Sequence, residues 1–181
     1  RLDDEPHHAY GKHGAHATWS AAFVAQYMPT ALREVGYAVL YHHNPLDHLS
    51  KIVALADRLA SGERADETDT QLRNLLSVFC QLGEYAPRCP APAYFPLRPL
   101  ALDKATIFPS GQIEDDTAAY SWLWEQFERD AAILRTQDDA ESYIESMYHL
   151  LYRYAWCVPS AFYRSTLDIS LYDHSRVTAA V

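Results

Sequence analysis

Lys51-Ile-Val-Ala-Leu-Ala-Asp-Arg-Leu-Ala-Ser-Gly-Glu-Arg64 decides the fold. With the residues just upstream, Leu49, Ile52, Val53, Ala56, Leu59 and Ala60 recur at helical spacing, which predicts a helix over Leu46 to Ala60 with an apolar stripe. Gly62 closes it, as glycine commonly does just past a helix end. Asp57 stands at the edge of the stripe, one residue after Ala56. A carboxylate buried there without a partner costs several kcal/mol, so it needs a metal, an arginine or several hydrogen bonds.

Upstream, Trp19, Phe23, Val24, Tyr27, Met28 and Ala31 keep the same period from Thr18 to Val35. Pro29 interrupts the pattern and predicts a kink or two short helices. Thr18 or Ser20 is the expected cap and Gly36 the expected C-terminal stop. Residues 1–15 are polar, rich in His and Gly, and read as a loop. Tyr37 to His43 leads into Asn44-Pro45, where proline disfavours helix in the residue before it.

Downstream, Glu63 to Thr70 is a charged turn. Leu72, Leu75, Leu76, Val78, Phe79 and Leu82 fit strand or helix. Six of the ten prolines fall between Pro87 and Pro109, which argues against regular helix there. Tyr94-Phe-Pro-Leu-Arg-Pro-Leu100 reads as extended or edge-strand chain. Helical spacing returns with Tyr120, Leu123, Trp124, Phe127 and Ala131, then with Ile144, Met147, Tyr148, Leu151 and Tyr154. A last helix is expected near Ser170, where Ser170-Leu-Tyr-Asp173 resembles a capping box with Asp in place of Glu. The expected fold is mostly α. Residues 1–67 and 114–181 form a helical core, and 68–113 a Pro-rich, partly β insertion.

The 181 residues are 49% hydrophobic and 22% charged, enough for a real core and unlike a disordered chain. A formal net charge of −9 argues against nucleic-acid binding over the whole surface, although a bound metal can supply positive charge locally. Cys80, Cys89 and Cys157 show no paired spacing, so reduced thiols in a cytoplasmic protein are expected. No apolar run is long enough to span a membrane. A chain beginning at Arg1 is expected to be a piece of a longer protein.

Three sets of residues carry possible chemistry: His16 entering the first helix, the doublet His42-His43, and Asp57. Imidazoles with a carboxylate suit divalent Mn, Fe, Ni, Co or Zn. Two such ions can activate a water and steady the leaving oxygen in phosphodiester cleavage. Each residue also has an ordinary reading: His16 as a capping or surface residue, His42-His43 as an exposed turn, Asp57 paired with Arg58 or Arg64. Lys51, Arg58 and Arg64 are candidates to hold phosphates, and equally ordinary surface charges. His7, His8 and His13 read as solvated loop, and His48 and His149 as plain helix positions.

His16, His42-His43 and Ala56-Asp-Arg-Leu-Ala-Ser-Gly-Glu63, in that order, resemble the N-terminal HD domain of the large subunit of type III CRISPR effector complexes. Ile52–Arg64 is the most specific stretch. Tyr94–Leu100 and Ser170-Leu-Tyr-Asp-His-Ser-Arg-Val-Thr-Ala-Ala180 extend the likeness over nearly the whole chain. The resemblance implies a circularly permuted HD fold in which the helix bearing His174 is the first HD motif placed last. It implies a metal-dependent single-stranded DNA nuclease with one or two divalent transition-metal ions, ligands His16, His42, His43, Asp57 and His174, and catalytic work at His42, His43 and Asp57. Other effector subunits and a guide RNA are the implied partners. The family's His-Asp doublet is absent; only Gly11-Lys12 keeps the tail of its context. It is expected upstream of Arg1, or the domain is a degenerate scaffold that docks other subunits. An HD phosphohydrolase acting on nucleotides is the third alternative. The polymerase-like domain of that family is not in these residues, so nothing here supports cyclic oligoadenylate synthesis.

Overall fold

A computed structural model of the chain describes residues 14–61, 74–81, 92–111, 116–137, 139–160 and 167–181. The side chains of residues 14–16, 61, 81 and 116 stand outside that description. The fold is mostly α. In chain order the helices are α1 (Gly14–Tyr27), α2 (Val35–Leu40), α3 (His48–Ser61), α4 (Lys104–Ile107), α5 (Asp116–Leu134), α6 (Ala140–Ala155) and α7 (Leu171–Ala180). Short 3-10 turns occupy Thr30–Leu32 and Val78–Gln81.

Pro29 splits the first helical stretch, and the sequence boundaries shift around it. α1 begins at Gly14, inside the stretch expected as loop, so Thr18 and Ser20 lie within the helix and do not cap it. Gly36 does not end a helix; it lies in the first turn of α2, where an added Cβ would meet Val24 Cγ1 at 3.2 Å. The glycine lets α2 approach α1 closely. α3 starts with a reciprocal cap: Asp47 Oδ1 accepts from the Ser50 N–H at 2.7 Å, and Ser50 Oγ accepts from the Asp47 N–H at 3.1 Å.

The helices follow one another around a ring. α1 packs on α2, α2 on α3, α3 on α7, α7 on α6, α6 on α5, and α5 returns to α1. The core collects Tyr27, Leu97, Leu123, Phe127, Ala131, Tyr143, Met147, Leu150, Tyr154 and Cys157. Its polar atoms are satisfied between helices: Tyr143 Oη donates to the Tyr27 carbonyl at 2.8 Å, Tyr27 Oη to Glu128 at 2.8 Å and Tyr154 Oη to Asp130 at 2.7 Å. On α6 the inward positions are Tyr143, Met147, Leu150 and Tyr154. Ile144 and Tyr148, read from the sequence as part of the core stripe, turn outward and are exposed.

Within the Pro-rich stretch, Leu97 reaches the core and a single-turn helix, α4, fits between Pro99 and Pro109, capped by Asp103 accepting from the Thr106 N–H at 2.9 Å. The expected β character reduces, among the described residues, to isolated antiparallel bridges, Leu76 with Tyr94 and Tyr94 with Ser110. Tyr94 and Phe95 donate their N–H groups to Ser110 and Leu75, and Pro96 then has no N–H to continue a ladder. Among the described residues no helix is long and apolar enough to cross a membrane.

Candidate functional site

The face that α3 turns to its neighbours keeps Val53, Ala56 and Ala60 of the stripe read from its sequence and leaves Leu49, Ile52 and Leu59 outside. Ser50 and Ala54 are buried and Val53, Asp57 and Ala60 half-buried, while Leu49, Ile52, Leu55 and Leu59 are exposed. Small side chains at positions 50, 54 and 56 allow close helix contact, and aliphatic bulk is left outside. Asp57 is half-buried, on the side of α3 that approaches α7.

α7 brings the partner. Ser170 caps it with extended backbone, accepting from the Asp173 N–H at 3.0 Å and donating its hydroxyl to Asp173 Oδ2 at 2.7 Å. The aspartate is one carbon shorter than the glutamate of a capping box and accepts a hydrogen bond from the hydroxyl. Residues two apart on a helix point to opposite sides. Tyr172 accordingly packs against rings of α6, and His174 faces α3. His174 Nε2 lies 3.4 Å from Asp57 Oδ1, with the two side chains only 16% and 20% exposed. By position alone His174 reads as a surface residue; packing makes it half-buried and gives it a carboxylate.

His42 and His43 occupy the turn after α2. His42 is buried, and its Nδ1–H donates to the Val39 carbonyl. A carbonyl can only accept, so Nδ1 carries a proton in this bond, the kind of contact that orients the ring of a ligating histidine. The His43 ring lies over it with centroids 4.0 Å apart. These residues are thus not a freely exposed turn. His16 lies in the first turn of α1, its side chain outside the described set. Lys51 and Arg58 are exposed on α3, and Arg64 lies outside the described residues. Among the described residues, no three His, Cys, Asp or Glu side chains are grouped to hold a metal ion. The donors brought together are Asp57 and His174, a carboxylate and an imidazole whose chemistry fits a borderline divalent transition metal.

On the other side of α7 lies a groove of about 620 Å³ that no sequence motif singled out. Its signals were present in helical spacing: Tyr148 and Tyr152 are four apart on α6, and Tyr172 and Arg176 four apart on α7.

No protein-family model matches the chain. Over 163 aligned residues, 77% of the chain, it is 30% identical to the CRISPR system single-strand-specific deoxyribonuclease Cas10/Csm1 (subtype III-A) of Methanocaldococcus jannaschii. The chain is related to a part of that protein. It spans 19% of the relative's length.

Proposed function

We propose that this chain is the permuted HD-type region of the large subunit of a type III CRISPR effector, and that it hydrolyses single-stranded DNA at a divalent metal centre. Asp57 and His174 hold the ion, with His42, His43 and His16 completing the ligand set together with a His-Asp pair outside this sequence. The observation that carries the reading is the approach of Asp57 to His174, a carboxylate and an imidazole from distant parts of the chain. The likeness to a relative named as a single-strand-specific deoxyribonuclease supports the substrate class.

A divalent metal supplies, when bound, Lewis acidity that activates water and neutralises phosphate charge. The protein's own groups set up the site. Ser170 fixes the start of the helix that carries His174, and the Val39 carbonyl fixes the orientation of the His42 ring. Asp57 bears the carboxylate that balances the cation. Other effector subunits and a guide RNA are the partners of the parent assembly.

Elemental analysis of the parent protein, followed by cleavage assays on single-stranded DNA, tests the reading. Bound Mn, Fe, Co, Ni or Zn and metal-dependent cleavage that disappears in His174→Ala and in the His42→Ala, His43→Ala double variant are expected. A protein that holds no transition metal sinks the proposal. It would favour the second reading, a non-catalytic scaffold, for which the supporting observation is that among the described residues no three such donors are grouped. Cleavage confined to deoxynucleotides would point instead to a nucleotide phosphohydrolase.

A further inference from the structure

The groove beside α7 is walled by aromatic rings. Tyr172 stands 5.6 Å from Tyr148 and 4.7 Å from Tyr152, centroid to centroid, and Phe95 meets Trp156 at 5.4 Å. The rings are held in place. Tyr172 is buried and shares hydrogen bonds with Tyr148 and Arg176, and the Trp156 indole N–H donates to the Arg98 carbonyl at 2.9 Å. Tyr148 and Tyr152 are nonetheless about half exposed, at 44% and 45%. Positioned, partly exposed aromatic rings are what a flat heterocycle stacks on.

We propose that this groove is a base-stacking subsite for an unpaired nucleotide, with Tyr148 and Tyr152 as the platform and Arg176 at its edge. The inference rests on the nuclease reading above and extends it to how the strand is held. The subsite and the Asp57–His174 pair lie on opposite sides of one helix, a separation of about 10 Å. A strand crossing α7 therefore reaches both.

The electrostatics define the mode of binding. Among the described lining residues Asp168 and Asp173 stand beside Arg176, so carboxylates outnumber arginine there. Asp173 accepts the Ser170 hydroxyl at the start of α7, where the helix dipole favours negative charge. With a net charge of −9 as well, attraction for phosphate is weak, and affinity comes from the rings. Stacking of this kind selects single strands, because a base inside a duplex has both faces covered and must first be unstacked. An arginine-rich peptide could also lie on tyrosines beside carboxylates; the half-exposed rings, Arg176 and the single-strand-specific relative favour the base.

Binding of a fluorescein-labelled short single-stranded oligodeoxynucleotide, measured by anisotropy on the full chain in excess chelator, tests the subsite without cleavage. The double variant Tyr148→Leu, Tyr152→Leu should weaken binding about tenfold or more, since each stacked base contributes ~1–3 kcal/mol. The double variant with Phe at both positions should bind as the parent does, which separates stacking from loss of fold; melting temperatures of both variants check folding. Binding should change little with added salt, unlike contacts made mainly to phosphates. Leu variants that fold and bind as the parent does, equal losses for Leu and Phe, or preference for an arginine-rich peptide each overturn the proposal. Tyrosine-dependent binding without cleavage would leave the subsite standing and remove the nuclease reading; cleavage indifferent to the tyrosines would do the reverse.

Discussion

Asp57 Oδ1 and His174 Nε2 lie 3.4 Å apart across the contact between α3 and α7. If this pair is a metal-binding half-site, Asp57→Asn and His174→Ala will each lower the affinity for Mn or Zn by ~100-fold or more, since removing even an outer partner of a ligand costs ~10–100-fold. Titration calorimetry measures this directly. Thermal melting gives a second readout: metal at a hundred times its Kd stabilises the parent by ~2.7 kcal/mol, and the variants should lose that increment. A pair with only a structural role would lower the melting temperature without any metal dependence.

Ser170→Ala removes the cap of α7 while leaving every proposed ligand in place. The expected cost is ~1 kcal/mol of stability. Because His174 is one turn into the same helix, metal affinity should fall along with it. Urea unfolding with and without metal separates the two effects, and an unchanged unfolding midpoint would contradict the capping role.

Alkaline unfolding should follow the buried phenols. Burial, then the hydrogen bond to Glu128, pushes the Tyr27 hydroxyl up from 10.0 to about 12, and burial with the Asp130 contact does the same for Tyr154. Burial likewise pushes the Cys157 thiol up from 9.0 to about 11. Well below their unshifted values, under about pH 7.5 for the thiol and about pH 9 for the phenols, these groups are protonated in both states and their contribution is fully present. As pH rises through these windows the unfolded chain releases protons before the folded chain does, so stability is lost up to about pH 12. Tyr27→Phe should flatten the pH dependence of the urea midpoint above pH 10; an unaltered slope would show that Tyr27 does not contribute.

Gly36 sets the distance between α1 and α2. A Leu here must displace Val24 and should destabilise by ~1–3 kcal/mol, as overpacking does. Gly36→Ala should cost much less, because only Cβ has to be accommodated and alanine favours helix. Chemical denaturation of the two variants checks the order.

Much of the fold was legible in the sequence. Pro29 marked the break after α1, and Ser170 to Asp173 marked the start of α7, because both act through local covalent and hydrogen-bond chemistry. The buried side of α3 was half read, for a physical reason. Leu49, Ile52 and Leu59 are the more apolar residues of the stripe, but close helix contact selects small ones, and it kept Ala56 and added Ser50 and Ala54. The same preference explains Gly36, whose sequence context resembled a stop signal. Asp57 stood out as a carboxylate beside an apolar stripe, yet its neighbour His174 is far away in the chain, and no local pattern could pair them. The hydrogen bond from His42 to Val39 was equally invisible, since it depends on how the chain turns after α2.

The closed circuit of helices has a consequence for synthesis and refolding. α7 is the last helix made from these residues, yet it fits between α3, made early, and α6. The Asp57–His174 approach is therefore a contact of long sequence separation, with its loop-closure entropy to overcome before packing compensates. On a ribosome the first three helices emerge well before their final neighbour exists, and Leu49, Ile52, Leu55 and Leu59 are exposed even in the finished fold. The slow step in assembling this domain should be the docking of its final helix. Whatever chemistry resides at Asp57 then cannot begin until that step is complete.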